Sequence, residues 1–211
     1  MERSSIIVGI SGGSGSGKSW LAQRIQAQLP EEAVIFEQDW YYRDLSNLPI
    51  EVAEKNNFDH PDAIEIELLF EQLSTLASGQ AIEAPQYRYA TYERLAATRR
   101  LEPRPLILVE GIFALHWKRI RSLMDTSLFI DVDSNTRRER RLKRDRNNRG
   151  YSDNQILTSW ERDTLPMYLQ FVQPTARFAD TVWNPAEDTA FETTFLADLR
   201  TRLAKNGNEP L

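Results

Sequence analysis

An apolar run at residues 6–10 leads into Gly12-Gly13-Ser14-Gly15-Ser16-Gly17-Lys18-Ser19, two glycines with four residues between them followed by Lys-Ser. That spacing is the phosphate-loop pattern, and it suits one local architecture: strand, glycine-rich turn, helix. The residue types follow from the chemistry. Glycines let backbone N–H groups crowd around phosphate oxygens, the Lys18 ammonium reaches the β- and γ-phosphates, and the Ser19 hydroxyl sits on Mg²⁺. The continuation Trp20-Leu21-Ala22-Gln23-Arg24-Ile25 reads as a helix whose N-terminus favours an anion, so Trp20 in its first turn is counted with the loop as nucleotide-binding. A plain glycine-rich turn explains the glycines but not both flanks. A dinucleotide fingerprint is excluded, because its third glycine would have to fall at Lys18.

Short apolar runs at 6–10, 33–36, 106–109 and 128–132 alternate with helical stretches, which predicts an α/β fold with a parallel sheet flanked by helices. The clearest helix follows Pro61, with Ile66, Leu69, Phe70, Leu73, Leu76 and Ala77 on one stripe, Gly79 as its stop and Pro61 suited to its first turn. Residues 81–103, rich in Tyr and Arg, read as a small β-hairpin beside the sheet. At 211 residues the chain fits a single domain with such appendages.

Ligands of such sheets gather at the carboxyl ends of the strands. Asp39 follows the second run and Glu110 follows the third, so both carboxylates arrive at the same end as the phosphate loop. A phosphoryl transferase needs a carboxylate to accept a proton from the attacking hydroxyl, and acidic or hydroxyl ligands around Mg²⁺. Asp39 fits the first role. Ser19 and Glu110, with Asp39 beside them, fit the second. Each acid alone reads as a helix cap or a solvated side chain; it is the phosphate loop that gives the pair meaning.

The net charge of −5 argues against a nucleic-acid or anionic-membrane surface, yet residues 137–149 hold eight Arg/Lys against two acids, which leaves −11 for the rest. Arg137, Arg141 and Arg144 share one helical stripe with Arg140 beside it, an arrangement that by itself describes a solvated face. The absence of cysteine excludes disulfides and thiolate metal sites. With no apolar run long enough to cross a bilayer and no signal-peptide layout, the chain reads as soluble and cytoplasmic. The tail at 205–211 is expected to fray. Nothing in the sequence decides between a monomer and a homo-oligomer.

Over most of residues 6–185 the chain resembles the uridine kinase family, within the wider phosphoribulokinase/uridine kinase group. The resemblance rests on the phosphate loop, Gln38-Asp39-x-x-Tyr42-Arg43, Asn57-Phe58-Asp59-His60-Pro61-Asp62-Ala63, Pro85-x-Tyr87 and Val109-Glu110-Gly111-Ile112. Arg144-Asp145-x-x-x-Arg149-Gly150, Phe171-Val172-x-Pro174 and Ala179-Asp180 extend it. It implies a P-loop fold and an ATP- and Mg²⁺-dependent kinase acting on the 5′-hydroxyl of a ribonucleoside. Asp39 is then the base, Tyr42 and Tyr87 line the acceptor site, and Asp59 holds the ribose hydroxyls. Without the family, Asp59 reads as a cap ahead of a proline-initiated helix. The resemblance also places Arg141, Arg144 and Arg149 in a lid at about 134–152 that closes over the phosphates, with Arg141 and Arg144 catalytic and Arg149 on the nucleotide.

Departures from the family pattern fall on the acceptor's base. The histidine that contacts the pyrimidine is Tyr92 here, an Asp is Arg88, the second Arg of Arg-Gly-Arg is Tyr151, and a Gln is Ser159. Base preference is therefore expected to differ. The alternatives left open are a kinase of another small metabolite, of the sugar-phosphate, nicotinamide riboside or pantothenate type, and a nucleotide-binding regulatory protein without an acceptor. The short stretch Leu165-Pro166-Met167-Tyr168-Leu169 resembles nicotinamide riboside kinases.

Overall fold

A computed structural model describes residues 5–206, the side chains of Asn148 and Arg149 excepted. The segment 207–211, part of the tail expected to fray, lies outside the described residues. The strands are β1 Ile6–Gly12, β2 Ala33–Glu37, β3 Ile82–Arg88, β4 Glu93–Leu101, β5 Leu106–Glu110, β6 Thr126–Ile130 and β7 Thr181–Trp183. Five of them form one parallel sheet in the order β2-β5-β1-β6-β7. The hairpin expected at 81–103 is present as the antiparallel pair β3–β4.

β1, β5 and β6 are buried along their whole length, and their alternate residues feed two cores. Ile7, Ile107, Val109 and Phe129 face a cluster with α3 (Ile66–Ala77), whose Leu69, Leu73 and Leu76 supply the expected stripe. Ile6, Val8, Ile10, Leu108 and Leu128 face the opposite cluster, with α1 (Lys18–Gln28) and Phe195 and Leu199 of the C-terminal helix Phe191–Asn206. Burial on both faces is what a sheet with helices on either side demands.

Two boundaries differ from the sequence reading. Pro61 does not open α3: Pro61–Ala63 is a separate 3₁₀ turn, and Ile64 then runs extended to bridge Tyr42 before α3 starts at Ile66. The strand expected at 128–132 is β6, which starts at Thr126 and stops at Ile130. Its polar start is stabilised by Asp180, whose Oδ2 accepts from both the Ser127 amide and hydroxyl at 2.8 Å. β7 went unforeseen, being three residues long with Val182 exposed. Among the described residues no helix is long and apolar enough to cross a membrane.

The Arg-rich stretch is a helix, Ser134–Arg149, capped by Asp133, whose carboxylate accepts from the amides of Asn135 and Thr136 at 3.0 Å. After Gly150 the chain turns into Asp153–Ser159, capped reciprocally by Ser152 and Gln155, and then winds through two wide π-type turns, Trp160–Thr164 and Tyr168–Val172.

Candidate active site

A cavity of about 460 Å³ opens at the carboxyl end of the sheet. Its floor is the phosphate loop. Gly15 has φ +83°, and a Cβ there would collide with the backbone of Arg137; a Cβ on Gly13 would collide with the Arg137 guanidinium. Glycine is thus required by close approach to Arg137 as well as by the fold of the loop. Arg137 is 1% exposed, donates from Nε to the Val132 carbonyl at 3.0 Å, and lies against Tyr168 and Trp160. The stripe therefore turns toward the loop through Arg137 and Arg141, whose Nη1 donates to Ser14 Oγ at 3.2 Å, while the exposed Arg140 beside it donates from Nη1 to the Ser16 carbonyl at 3.4 Å.

At the sheet end of the cavity Ser19 Oγ donates to Glu110 Oε1 at 2.9 Å, and Lys18 Nζ reaches back to the Gly13 carbonyl at 3.4 Å. Both charged groups are buried. Burial raises the Glu110 carboxyl to about 7, the Lys18 charge opposes that rise, and Asp39 and Glu37 add to it. Burial lowers the Lys18 ammonium, opposed by Glu110 and Asp39. Asp39 stands in a 3₁₀ turn, Gln38–Tyr41, directly after β2. Its neighbour Gln38 is 1% exposed and accepts from the Phe113 amide at 2.8 Å. A Cβ on Gly111 would strike the Gln38 side chain. The ends of β2 and β5 are clasped through that contact, which fixes Asp39 relative to Glu110.

The opposite end is aromatic and polar. Asp59 Oδ2 accepts from Thr164 Oγ1 at 2.8 Å and lies 3.5 Å from Arg141 Nη1. Asp145, a buried residue of α5 itself (Ser134–Arg149), pairs with Arg141 at 3.3 Å and Arg144 at 2.8 Å and holds both guanidinium groups toward the cavity. Tyr42, Tyr92, Tyr151 and Ser159 line the wall. Tyr92 stacks on Phe58, centroids 5.3 Å apart and planes 15° from parallel. Its φ of +55° is the single positive value at a non-glycine among the described residues. Burial, then the neighbouring Tyr151 phenol, pushes its phenol up to about 12.

Most residues singled out in the sequence converge here, with three exceptions. Tyr87 does not line the cavity: it packs behind Tyr42 and Tyr89, centroids 5.4 and 5.5 Å away, with its hydroxyl buried and unpaired among the described residues. Tyr89, two residues further on in the hairpin turn just past β3, lines the cavity and donates to Asp39 Oδ2 at 2.9 Å. Trp20 points out of the site, 53% exposed with Arg24 over its ring, so only its backbone belongs to the loop. The Arg149 side chain lies outside the described residues. Tyr89 and Thr164 are not singled out in the sequence, and Arg137 and Asp145 enter there only within the arginine stripe and the Arg144-Asp145 motif, with no site role of their own. Period-two spacing from Tyr87 pointed to Tyr89; nothing local pointed to Thr164, which a π-type turn delivers.

Among the described residues no group of three or more His, Asp or Glu could hold a metal ion unaided. Ser19 and Glu110, with Asp39 beside them, fit a Mg²⁺ that takes its remaining ligands from phosphate oxygens and water, the usual arrangement for this ion.

The chain matches the phosphoribulokinase/uridine kinase family over residues 7–191. It is 44% identical over 184 residues to the uridine kinase of Chloroflexus aggregans, covering 87% of this chain and 88% of that protein. With the uridine kinase of Streptococcus gordonii the identity is 39% over 183 residues, covering 86% and 87%. Among solved structures it is similar in fold to a possible uridine kinase from Bacillus stearothermophilus, with a TM-score of 0.61, 19% identity and coverage of 87% and 90%. Phosphoribulokinase from Rhodobacter spheroides gives a TM-score of 0.63 at 16% identity, with coverage of 87% and 71%.

Proposed function

The chain belongs to the phosphoribulokinase/uridine kinase family, and from that premise we propose that it transfers the γ-phosphoryl group of ATP to the 5′-hydroxyl of a ribonucleoside. The observation that carries the reading is one cavity with a phosphate loop and the buried Lys18 and Glu110 at one end, Asp39 between, and Asp59 with an aromatic wall at the other.

Lys18 and the loop amides hold the β- and γ-phosphates. Asp39 accepts the proton of the acceptor hydroxyl as its oxygen bonds to the γ-phosphorus and the bridging β–γ bond breaks, releasing ADP. Arg141 and Arg144, held by Asp145, neutralise charge on the phosphoryl oxygens in transit. Ser19 and Glu110 would hold Mg²⁺, which would supply positive charge against the β- and γ-phosphates. Asp59 accepts from the ribose hydroxyls, and Phe58 and Tyr92 form the apolar wall for the base.

The test is purified protein with Mg·ATP against a panel of ribonucleosides, 2′-deoxynucleosides, sugars, sugar phosphates and vitamins, read as ADP release. Turnover of ribonucleosides above the rest is the expected outcome. Turnover of a sugar phosphate or a vitamin in their place, or of no acceptor at all, would replace this reading.

A further inference from the structure

Resting on the kinase reading above, we infer that Tyr89 is a positioning residue for the base carboxylate of Asp39. The two residues are 50 positions apart, one at the tip of the β3–β4 hairpin and the other just after β2, and the Tyr89 hydroxyl donates to Asp39 Oδ2 at 2.9 Å. The phenol thus holds the carboxylate through one oxygen, at a cavity that both residues line.

Two features make this more than an incidental contact. The first is that the bond crosses between elements: Asp39 stands in the 3₁₀ turn after β2, Tyr89 comes from the hairpin, and both line the same cavity. A neutral phenol so placed restrains the carboxylate without adding a counter-charge. The second is that the phenol is aimed by its surroundings. The Tyr89 ring meets Tyr42 and Tyr87 edge to face, at 6.2 Å and 71° and at 5.5 Å and 76°. The hairpin tip is tied down by the Leu45 amide donating to the Tyr92 carbonyl at 2.9 Å, and by Arg94 donating to the Tyr42 carbonyl at 2.9 Å while pairing with Glu65 at 2.7 Å. A group carried on the acceptor-side hairpin thereby sets the aim of the base, and small errors in that aim are expensive in rate.

Tyr89→Phe keeps the ring and its packing and removes only the donor. Its kcat should fall roughly ten- to a hundredfold, the scale of a hydrogen bond to a charged group, while the acceptor KM and the Mg·ATP dissociation constant stay within about twofold. In the Asp39→Ala background, single-turnover rates should be the same with Tyr or Phe at 89, because the phenol acts through the carboxylate. An unchanged kcat in Tyr89→Phe, a loss confined to KM, or an equal loss in the Asp39→Ala background would each overturn the assignment. Crystals of wild type and Tyr89→Phe with a non-hydrolysable ATP analogue need no acceptor and so separate this inference from the choice of substrate. Asp39 should hold one rotamer in wild type and lose it in the variant; the same ordered rotamer in both would end the proposal.

Discussion

The Arg137 guanidinium lies 3.8 Å above the Tyr168 ring, and this stack lies under Gly13 of the phosphate loop while Gly15 rests on the Arg137 backbone. The contact joins three distant parts of the chain, since α5 supplies the cation, the second π-type turn supplies the ring, and the loop after β1 lies on top. Desolvation lowers the guanidinium's affinity for its proton, a penalty that the ring faces and the Val132 carbonyl offset.

Arg137→Leu should therefore weaken Mg·ATP binding, although the residue does not line the cavity. Loss of the stack and the Val132 hydrogen bond should also reduce stability by about 2–3 kcal/mol, or roughly 5–10 °C in thermal midpoint for a chain of this size. Arg137→Lys keeps the charge but not the planar stack, and should fall nearer the Leu variant than the wild type. Thermal denaturation and nucleotide titration of both variants check this; a Lys variant equal to wild type would show that charge alone matters.

Asp39→Asn separates the two roles a carboxylate at this position can have. As the base, it should lower turnover by roughly 10² or more, with Mg·ATP affinity within a few-fold of wild type. Turnover and nucleotide titration on the same preparation decide the matter. A large loss of Mg·ATP affinity with nearly unchanged turnover would recast Asp39 as chiefly a metal ligand.

His116 gives the fold an acid-sensitive point away from the site. Its ring sits edge-on to Phe113, Trp117 and Phe171. Burial lowers its pKa below 6.5, Phe171's backbone and Asp62 oppose that, and Arg121 and His60 add to it. The neutral ring is the form the fold accepts. As pH falls through about 6.5 the unfolded chain takes up the proton first, so this contribution is complete above that pH and lost below it. Between pH 8 and 5 the thermal midpoint of wild type should drop more than that of His116→Gln. Parallel midpoints across the range would remove the histidine from the acid response.

The sheet was legible because its three central strands are apolar on both faces, and the phosphate loop announced itself through residue types that no other turn requires. The hairpin showed through its alternation. The boundaries hidden from sequence are those set by distant partners: Asp180 stabilises the polar start of β6, and the extended bridge of Ile64 to Tyr42 delays α3. The site divides in the same way. Lys18, Ser19, Asp39 and Glu110 follow strands directly and could be read from order along the chain. Tyr89, Thr164 and Arg137 matter through contacts spanning 50, 105 and some 120 positions, and helical or strand periodicity carries no such information. The arginine stripe had the right face and the wrong environment, since a polar helix looks solvent-exposed until a buried partner such as Asp145 is seen.

The base end of the cavity carries the last prediction, on acceptor choice. The ring of Tyr92 is stacked on Phe58 and its hydroxyl is close enough to Tyr151 to feel it, so this wall offers a base its aromatic faces more than polar edges. Asp59 retains a carboxylate at the ribose end, held by Thr164 and Arg141. The enzyme should accordingly require vicinal ribose hydroxyls yet select poorly among bases, because discrimination between bases depends on partners left unpaired by the wrong one. Asp59→Ala should lower kcat/KM for every accepted ribonucleoside by a similar factor, the hydroxyls losing their acceptor whatever the base. Tyr92→His should raise uridine or cytidine relative to the other acceptors by roughly tenfold, the scale of one good hydrogen bond. The measurement is kcat/KM for ribonucleosides and their 2′-deoxy analogues in wild type and both variants. Equal use of ribo and deoxy substrates would remove Asp59 from ribose recognition, and tight uridine selectivity in the wild type would show that the phenol pair reads the base edge after all.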